Sequence, residues 1–255
     1  MTNIQINSTI KIGDTTYSAN LLEPIDISAP LRSGQNNIHA WYVGDATFKA
    51  VENENWIGDV NRGGAVNFRD IYFNPHGHGT HTECVGHISK ENYTINQCLK
   101  QFFFLSQLVT IEPQAINDDL LITLEQVKNL TLSPNVQALI IRTLPNSEEK
   151  LTQHYSSKNP PYIHADAVDF LVKQGINHLL VDLPSLDREH DEGKLAAHHV
   201  FWNYPENTQQ HRTITEFVFV PNDVHDDVYL LNLQISSFEN DAAPSKPILF
   251  KIYSI

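Results

Sequence analysis

"HADAVDFLVKQGINHLLVDLP", residues 164–184, decides the fold class. Its first half is apolar at helical spacing. Val168, Leu171 and Val172 share one face, Lys173 sits in the last turn, and Gly175 supplies a stop. Its second half, residues 176–184, is a short apolar run of the kind found in strands buried on both faces. A second such run, "VQALIIRTL" (136–144), precedes it. Strand, helix and strand with short joins call for a right-handed crossover and parallel pairing.

Moving outward, "QFFFLSQLVTIEP" (101–113) reads as another buried strand closed by Pro113, and "TLEQVKNL" (123–130) as a helix. "STIKIG" and "TTYSANLL" flank the dipeptide Gly13-Asp14, a hairpin signal. "HAWYVGD" (39–45) and "AVNFRDIYFNP" (65–75) read as extended, and 203–212 as a polar surface loop. The C-terminal third returns to strands in "TITEFVFVP" (213–221), "DVYLLNLQISSF" (227–238) and "KPILFKIYSI" (246–255). The expectation is an α/β protein, a single domain over 1–255, with a mixed β-sheet and flanking helices.

Composition narrows the function. With 17 basic and 30 acidic residues the formal net charge is -13, so the long-range field repels phosphate and disfavours nucleic acid and anionic membranes as partners. No run of about 18 apolar residues suggests a membrane span. The N-terminal segment is polar and lacks the apolar core of a secretory signal. Two cysteines, Cys84 and Cys98, make no disulfide framework, and a cytoplasmic setting is expected.

The chemistry concentrates in "NPHGHGTHTECVGHI" (74–88), which places four of the 13 histidines, one glutamate and three glycines within 15 positions. His81 and Glu83 point the same way on an extended segment. Glu83 and His87 share a face if a helix starts at Glu83. Imidazole and carboxylate together suit zinc or manganese, and one carboxylate is able to bridge two ions. The spacing is not that of an H-E-x-x-H zincin helix. A complementary set lies downstream. His198 and His199 open a helix, and Glu216 stands among apolar residues, where a carboxylate is costly unless partnered. Ile214 and Val218, in alternation with Glu216, argue that it faces inward. Asp182, Ser185 and Asp187 lie at or just past the end of the 176–184 strand and read as turn residues or, at most, as groups supporting the site.

These segments resemble the cyclase family of metal-dependent hydrolases, which includes the bacterial kynurenine formamidases. The family signature H-x-G-x-H-x-D-x-P-x-H appears as "GHGTHTECVGH" (77–87), and "ALIIRT", residues 164–187, "AAHHVFW" and "ITEFV" fall in the family order. The resemblance implies a swivelling β/β/α-like fold and a site holding one or two divalent ions, zinc or manganese. It implies His81, Glu83, His198 and Glu216 as metal ligands, His87 as proton donor and acceptor, and Trp41 as a substrate-pocket aromatic. It also implies a small-molecule substrate and a homodimer or homotetramer.

Three positions depart from the signature. Its first histidine falls on Gly77, leaving His76 or His78 as the replacement, with His76 favoured. Glu83 stands for aspartate and Val85 for proline. The expected function is hydrolysis of an amide bond, such as that of an N-formyl aryl amine, through metal-activated water. Two alternatives stay open: opening or closing of a cyclic amide or ester on the same fold, and a non-catalytic metal-binding relative.

Overall fold

A computed structural model describes residues 6–255. The first five residues, part of the N-terminal segment read above as lacking a signal, lie outside the described residues. The main sheet is built from β1 (Asn7–Ile12), β2 (Thr15–Asn20), β3 (His81–Glu83), β4 (Phe103–Ile111), β5 (Ala138–Thr143), β6 (His178–Val181), β7 (Thr213–Glu216), β8 (Val228–Ile235) and β9 (Ala242–Ser254). Helices α1 (Leu124–Lys128), α2 (Ala165–Lys173) and α3 (Ala196–Trp202) flank it.

The strand order is β1-β2-β9-β8-β4-β5-β6-β7-β3, and β3 pairs in turn with β9. From β9 around to β3 the sheet therefore closes into a barrel-like ring of seven strands. The pairs β4–β5, β5–β6 and β6–β7 are parallel, and the remaining ring pairs are antiparallel. This is the mixed α/β sheet that the strand–helix–strand reading called for.

Alternation along β5 and β6 sorts side chains between two apolar layers. Leu139, Ile141, Leu179 and Val181 pack beneath the helices, against Val168 and Leu171 of α2 and Phe201 and Trp202 of α3. Ala138, Ile140 and Leu180 turn to the other face, where Phe104, Leu108, Leu231 and Leu249 fill the ring. Both faces are covered, which is why these strands read as unbroken apolar runs. Each fully buried Leu or Ile contributes about 1.5–3 kcal/mol. Helix α2 ends where expected, with Gly175 at φ 93°. Helix α1 begins with a capping box of Thr123 and Gln126.

Three local expectations are corrected. "HAWYVGD" is not extended: Trp41 and Tyr42 have φ of 63° and 56°. Distant groups hold that turn, since the Tyr42 amide donates to Ser156 Oγ at 3.0 Å and its hydroxyl to Glu189 Oε1 at 2.8 Å. Glu83 does not begin a helix; it ends β3, and a single 3-10 turn, Val85–His87, follows. Strand β7 stops at Glu216, because Phe217 has φ 57°. Val218 therefore does not continue the alternation that was read as turning Glu216 inward. Glu216 is nonetheless buried, opposite β3.

Candidate metal centre

The site lies where the ring closes. All three residues of β3 are buried, with β7 on one side and β9 on the other. His81 and Glu83, two apart, project from one face of the strand. Thr82 projects from the other and reaches Thr215 Oγ1 at 2.8 Å. The antiparallel register sets Glu216 directly across from His81, so Glu216 Oε2 comes within 3.3 Å of His81 Nε2. The turn after β3 returns His87 over the same face, its Nδ1 3.9 Å from Glu83 Oε2. Gly86 permits this turn, since a Cβ there would lie 2.0 Å from the Tyr93 carbonyl oxygen.

Helix α3 delivers His198 from the opposite wall, with Nε2 3.3 Å from Glu83 Oε1. Asp187 anchors the start of that helix by accepting the N–H groups of Ala197 and His198 at 2.8 and 3.1 Å. Its Oδ2 also lies 2.6 Å from His198 Nδ1. The loop before β3 brings His76 Nδ1 to 3.1 Å from Glu83 Oε2.

His76, His81, Glu83, His87, His198 and Glu216, all singled out in the sequence, therefore meet at one place. Of the two candidates for the donor missing at Gly77, the structure puts His76 at the cluster and His78 elsewhere. Both His78 nitrogens are used: Nδ1 accepts from the Asn74 amide at 2.9 Å, and Nε2 lies 2.9 Å from the Gly44 carbonyl. At position 77 a side chain has no room, since a Cβ there would come within 2.6 Å of Val43 Cγ2.

Asp241, just before β9, completes the cluster and carries no motif signal. Its Oδ2 sits 2.8 Å from His76 Nε2 and 3.3 Å from His87 Nδ1. Its position follows from ring closure, in which the Cys84 amide donates to the Asp241 carbonyl at 3.0 Å and Ala242 pairs with Glu83. Cys84 is packed among apolar side chains, and both cysteines are free. His199 turns away, its Nδ1 2.9 Å from the Tyr204 carbonyl. Asp182 serves a separate buried network with Thr143 and Lys150.

The electrostatics of the cluster call for positive charge. Burial pushes the His76 and His198 imidazoles down, but Asp241 with Glu83, and Asp187 with Glu83, outweigh it and hold both pKa values up at about 10. Burial and the neighbouring Glu83 carboxylate raise the Glu216 carboxyl. Burial would also raise Glu83, but the surrounding His87, His198 and His76 drive it well below its ordinary value. Four buried atoms, His81 Nε2, both Glu83 oxygens and Glu216 Oε1, have no aligned hydrogen-bond partner. Such atoms are costly in a folded interior, and a cation placed among them would satisfy all four. His76 with His81 and Glu83, Glu83 with His87 and His198, and, nearer the surface, His76 with His87 and Asp241 are each close enough to share an ion. The donor set thus fits a divalent metal.

A cavity of about 390 Å³ opens onto the cluster. Trp41, Val43 and Leu195 form its apolar walls, Asn74 and Ser185 add neutral polar groups, and His76, His87, His198 and Glu216 lie on the reactive side. A larger cleft of about 670 Å³, at Gly13, Pro134 and Gly175, has no His, Asp or Glu in its lining and lies apart from this chemistry.

Fold and site together define an α/β protein with a buried His/carboxylate centre able to hold a divalent cation. The chain belongs to the putative cyclase family, whose profile matches residues 25–188. It is 27% identical to a kynurenine formamidase of Bacillus cereus over 231 residues, covering 89% of this chain and 97% of the relative. A kynurenine formamidase of Bacillus mycoides is 28% identical over 229 residues, covering 88% and 96%. Among solved structures, a potential metal-dependent hydrolase with cyclase activity superposes with a TM-score of 0.64 at 17% identity, covering 89% of this chain and 97% of its own. An isatin hydrolase bound to the product analogue thioisatinate superposes with a TM-score of 0.66 at 11% identity, covering 90% and 92%. The structural likenesses concern the fold. The sequence relatives place the chain among hydrolases built on it.

Proposed function

We propose that this protein is a metal-dependent amidohydrolase that cleaves a small amide such as an N-formyl aryl amine. The observation that carries the reading is the set of buried atoms on His81, Glu83 and Glu216 that face one another with no aligned hydrogen-bond partner, beside a cavity that Glu216 lines. His76, His81, Glu83, His198 and Glu216 would hold one or two ions, zinc or manganese, with Glu83 central to both halves of the set. When bound, such an ion supplies Lewis acidity, polarising a carbonyl and lowering the pKa of a water toward roughly 7.

The chain does the rest. Trp41, Val43 and Leu195 receive the aryl group and exclude bulk water from the reacting carbon. His87 is the least buried histidine of the cluster, its side chain 29% exposed where it lines the cavity. Its Nδ1 faces Asp241, which leaves Nε2 to carry a proton to the departing nitrogen. No nucleophilic side chain is required; Ser185 lines the cavity without a G-x-S-x-G turn. The same reading places the protein in the cytoplasm as a homodimer or homotetramer. Phe68, Ile71 and Tyr72, each more than half exposed, support self-association, and light scattering on the purified chain tests it. Among the described residues no helix is long and apolar enough to cross a membrane.

The test combines elemental analysis of purified protein with a panel of N-formyl anilines, lactams and lactones. The expected result is a bound divalent ion and metal-dependent release of formate, abolished by chelation and restored by zinc or manganese. Turnover confined to lactams or lactones would move the assignment to cyclic substrates. A bound ion with no turnover of any panel member would leave a metal-binding protein without this activity.

A further inference from the structure

Two histidines reach the centre in the same way, although they come from unrelated parts of the chain. His198 has Nδ1 2.6 Å from Asp187 Oδ2 and Nε2 3.3 Å from Glu83 Oε1. His76 has Nε2 2.8 Å from Asp241 Oδ2 and Nδ1 3.1 Å from Glu83 Oε2. In each ring one nitrogen meets an outer carboxylate, and the other meets the inner carboxylate that the proposed ion would share. A neutral imidazole has a single N–H. Whichever nitrogen donates it to the outer carboxylate leaves the lone pair of the other pointing inward. Asp187 is locked for this task by the two backbone N–H groups of α3 that it also accepts. Asp241 is held by its backbone instead, through the Cys84 amide and the β3–β9 pairing.

We propose that Asp241 is a positioning residue that fixes His76 with its proton on Nε2 and its lone pair on Nδ1, and thereby fits His76 to replace the metal donor missing at Gly77. The proposal rests on the metal-centre reading above and adds a residue that lies outside the family signature and outside residues 25–188 matched by the family profile. A histidine in a surface-connected loop, with its side chain 20% exposed, would otherwise sample both tautomers and several ring rotations. Glu83 alone cannot select among them, because its oxygens are equally good acceptors for an N–H. Asp241 makes the choice by taking the N–H on the far side. Its Oδ2 also lies 3.3 Å from His87 Nδ1, so the same carboxylate orients the proton-carrying histidine.

The test uses the full chain, zinc as the probe, and four proteins: wild type, Asp241→Ala, His76→Ala and the double variant. Zinc affinity is read by competition with a chromophoric chelator. The His76 tautomer is read from long-range 1H–15N correlation spectra of the zinc-loaded, 15N-histidine-labelled protein. Expected is a zinc-bound Nδ1 and a protonated Nε2 in the wild type. Asp241→Ala should weaken zinc roughly 10–100-fold, the range for loss of a carboxylate behind a ligating histidine, and should broaden or mix the His76 signals. In the His76→Ala background the same substitution should cost little more, because Asp241 acts on zinc through that ring. Asp241→Asn, which keeps one oxygen acceptor, should fall between. The backbone bond from Cys84 survives these changes, so the thermal transitions of the metal-free proteins should coincide within a few degrees; where Asp241→Ala does not fold, Asp241→Asn carries the comparison. Equal zinc affinity and an unchanged His76 tautomer in a folded Asp241 variant would overturn the proposal and leave the metal centre standing. Undiminished zinc affinity in His76→Ala would also overturn it. A wild-type protein that binds no zinc or manganese would overturn both.

Discussion

The floor and the rim of the centre are built by different means. His81, Glu83 and Glu216 form a floor that is nearly sealed, with side chains 0–4% exposed, on two paired strands whose register dictates which atoms meet. His76, His87 and Asp241 form a rim with side chains 20–29% exposed, carried on a loop, a 3-10 turn and the residue before a strand. Floor geometry follows from pleat and pairing, and nothing short of unfolding a strand changes it. Rim geometry depends on side-chain hydrogen bonds, chiefly those to Asp241. The floor should therefore hold an ion through backbone-fixed donors, whereas the rim should tune its affinity through His76 and carry the proton through His87.

Removing the central carboxylate should have the largest effect. Glu83→Ala is expected to lose bound metal below detection in elemental analysis, and with it all turnover. A variant that kept full metal content would erase the distinction between floor and rim. His87→Ala should next reduce kcat roughly 10²–10⁴-fold, the usual worth of a positioned acid or base, while metal content stays at the wild-type level. Loss of metal in this variant would move His87 into the floor.

Glu216→Gln sharpens the contrast through stability. Burial and Glu83 both oppose the Glu216 charge, so in metal-free protein the neutral amide should stabilise by on the order of 1 kcal/mol, roughly 2–4 °C in Tm for a chain of this size. In the presence of zinc the order should reverse. Calorimetry with and without zinc reads both signs, and a variant that is destabilised in both states would contradict the view of a floor strained by its own negative charge.

An effect confined to acid pH, and absent at neutrality, is expected at His178, a buried histidine with no carboxylate partner. Its Nδ1 lies 2.9 Å from Thr213 Oγ1 and its ring centroid 3.9 Å from that of Phe104. Burial, with a lesser contribution from His211, pushes its pKa down to about 3. Below the unfolded value near 6.5 the unfolded chain takes up a proton that the folded chain refuses until about pH 3. Stability is thus fully present above pH 6.5 and falls as the pH drops through that window, by about 2 kcal/mol at pH 5 from this group. Urea titrations of wild type and His178→Phe should converge on acidification, and parallel curves would exclude His178 as the source.

The floor was legible in the sequence because its logic is local. Alternation put His81 and Glu83 together, and a lone carboxylate among apolar residues marked Glu216, even though Phe217 interrupts the pattern invoked for it. The parallel core strands were legible for the same reason, through their two-sided burial. The rim was legible only in part. His87 stood in the signature, but the choice between His76 and His78 turns on the Gly44 carbonyl and the Asn74 amide, which no spacing reveals. Asp241 lies in a polar turn that offers no periodicity, and only pairing between β3 and β9, some 160 positions apart, brings it in. Trp41 was placed in the pocket but not in its turn, because Ser156 and Glu189 impose that conformation from more than 100 positions away.

Ring closure has a consequence for the order of events in synthesis. Every residue of the floor precedes position 217, yet β3 is left with an open edge until the strand 242–254 has been made. A chain that stops before residue 241 carries the His81–Glu83 donors and Glu216 without Asp241 and without the β3–β9 pairing. The centre is accordingly sealed only once residues 242–254 are in place, although every residue of the signature lies far upstream of them.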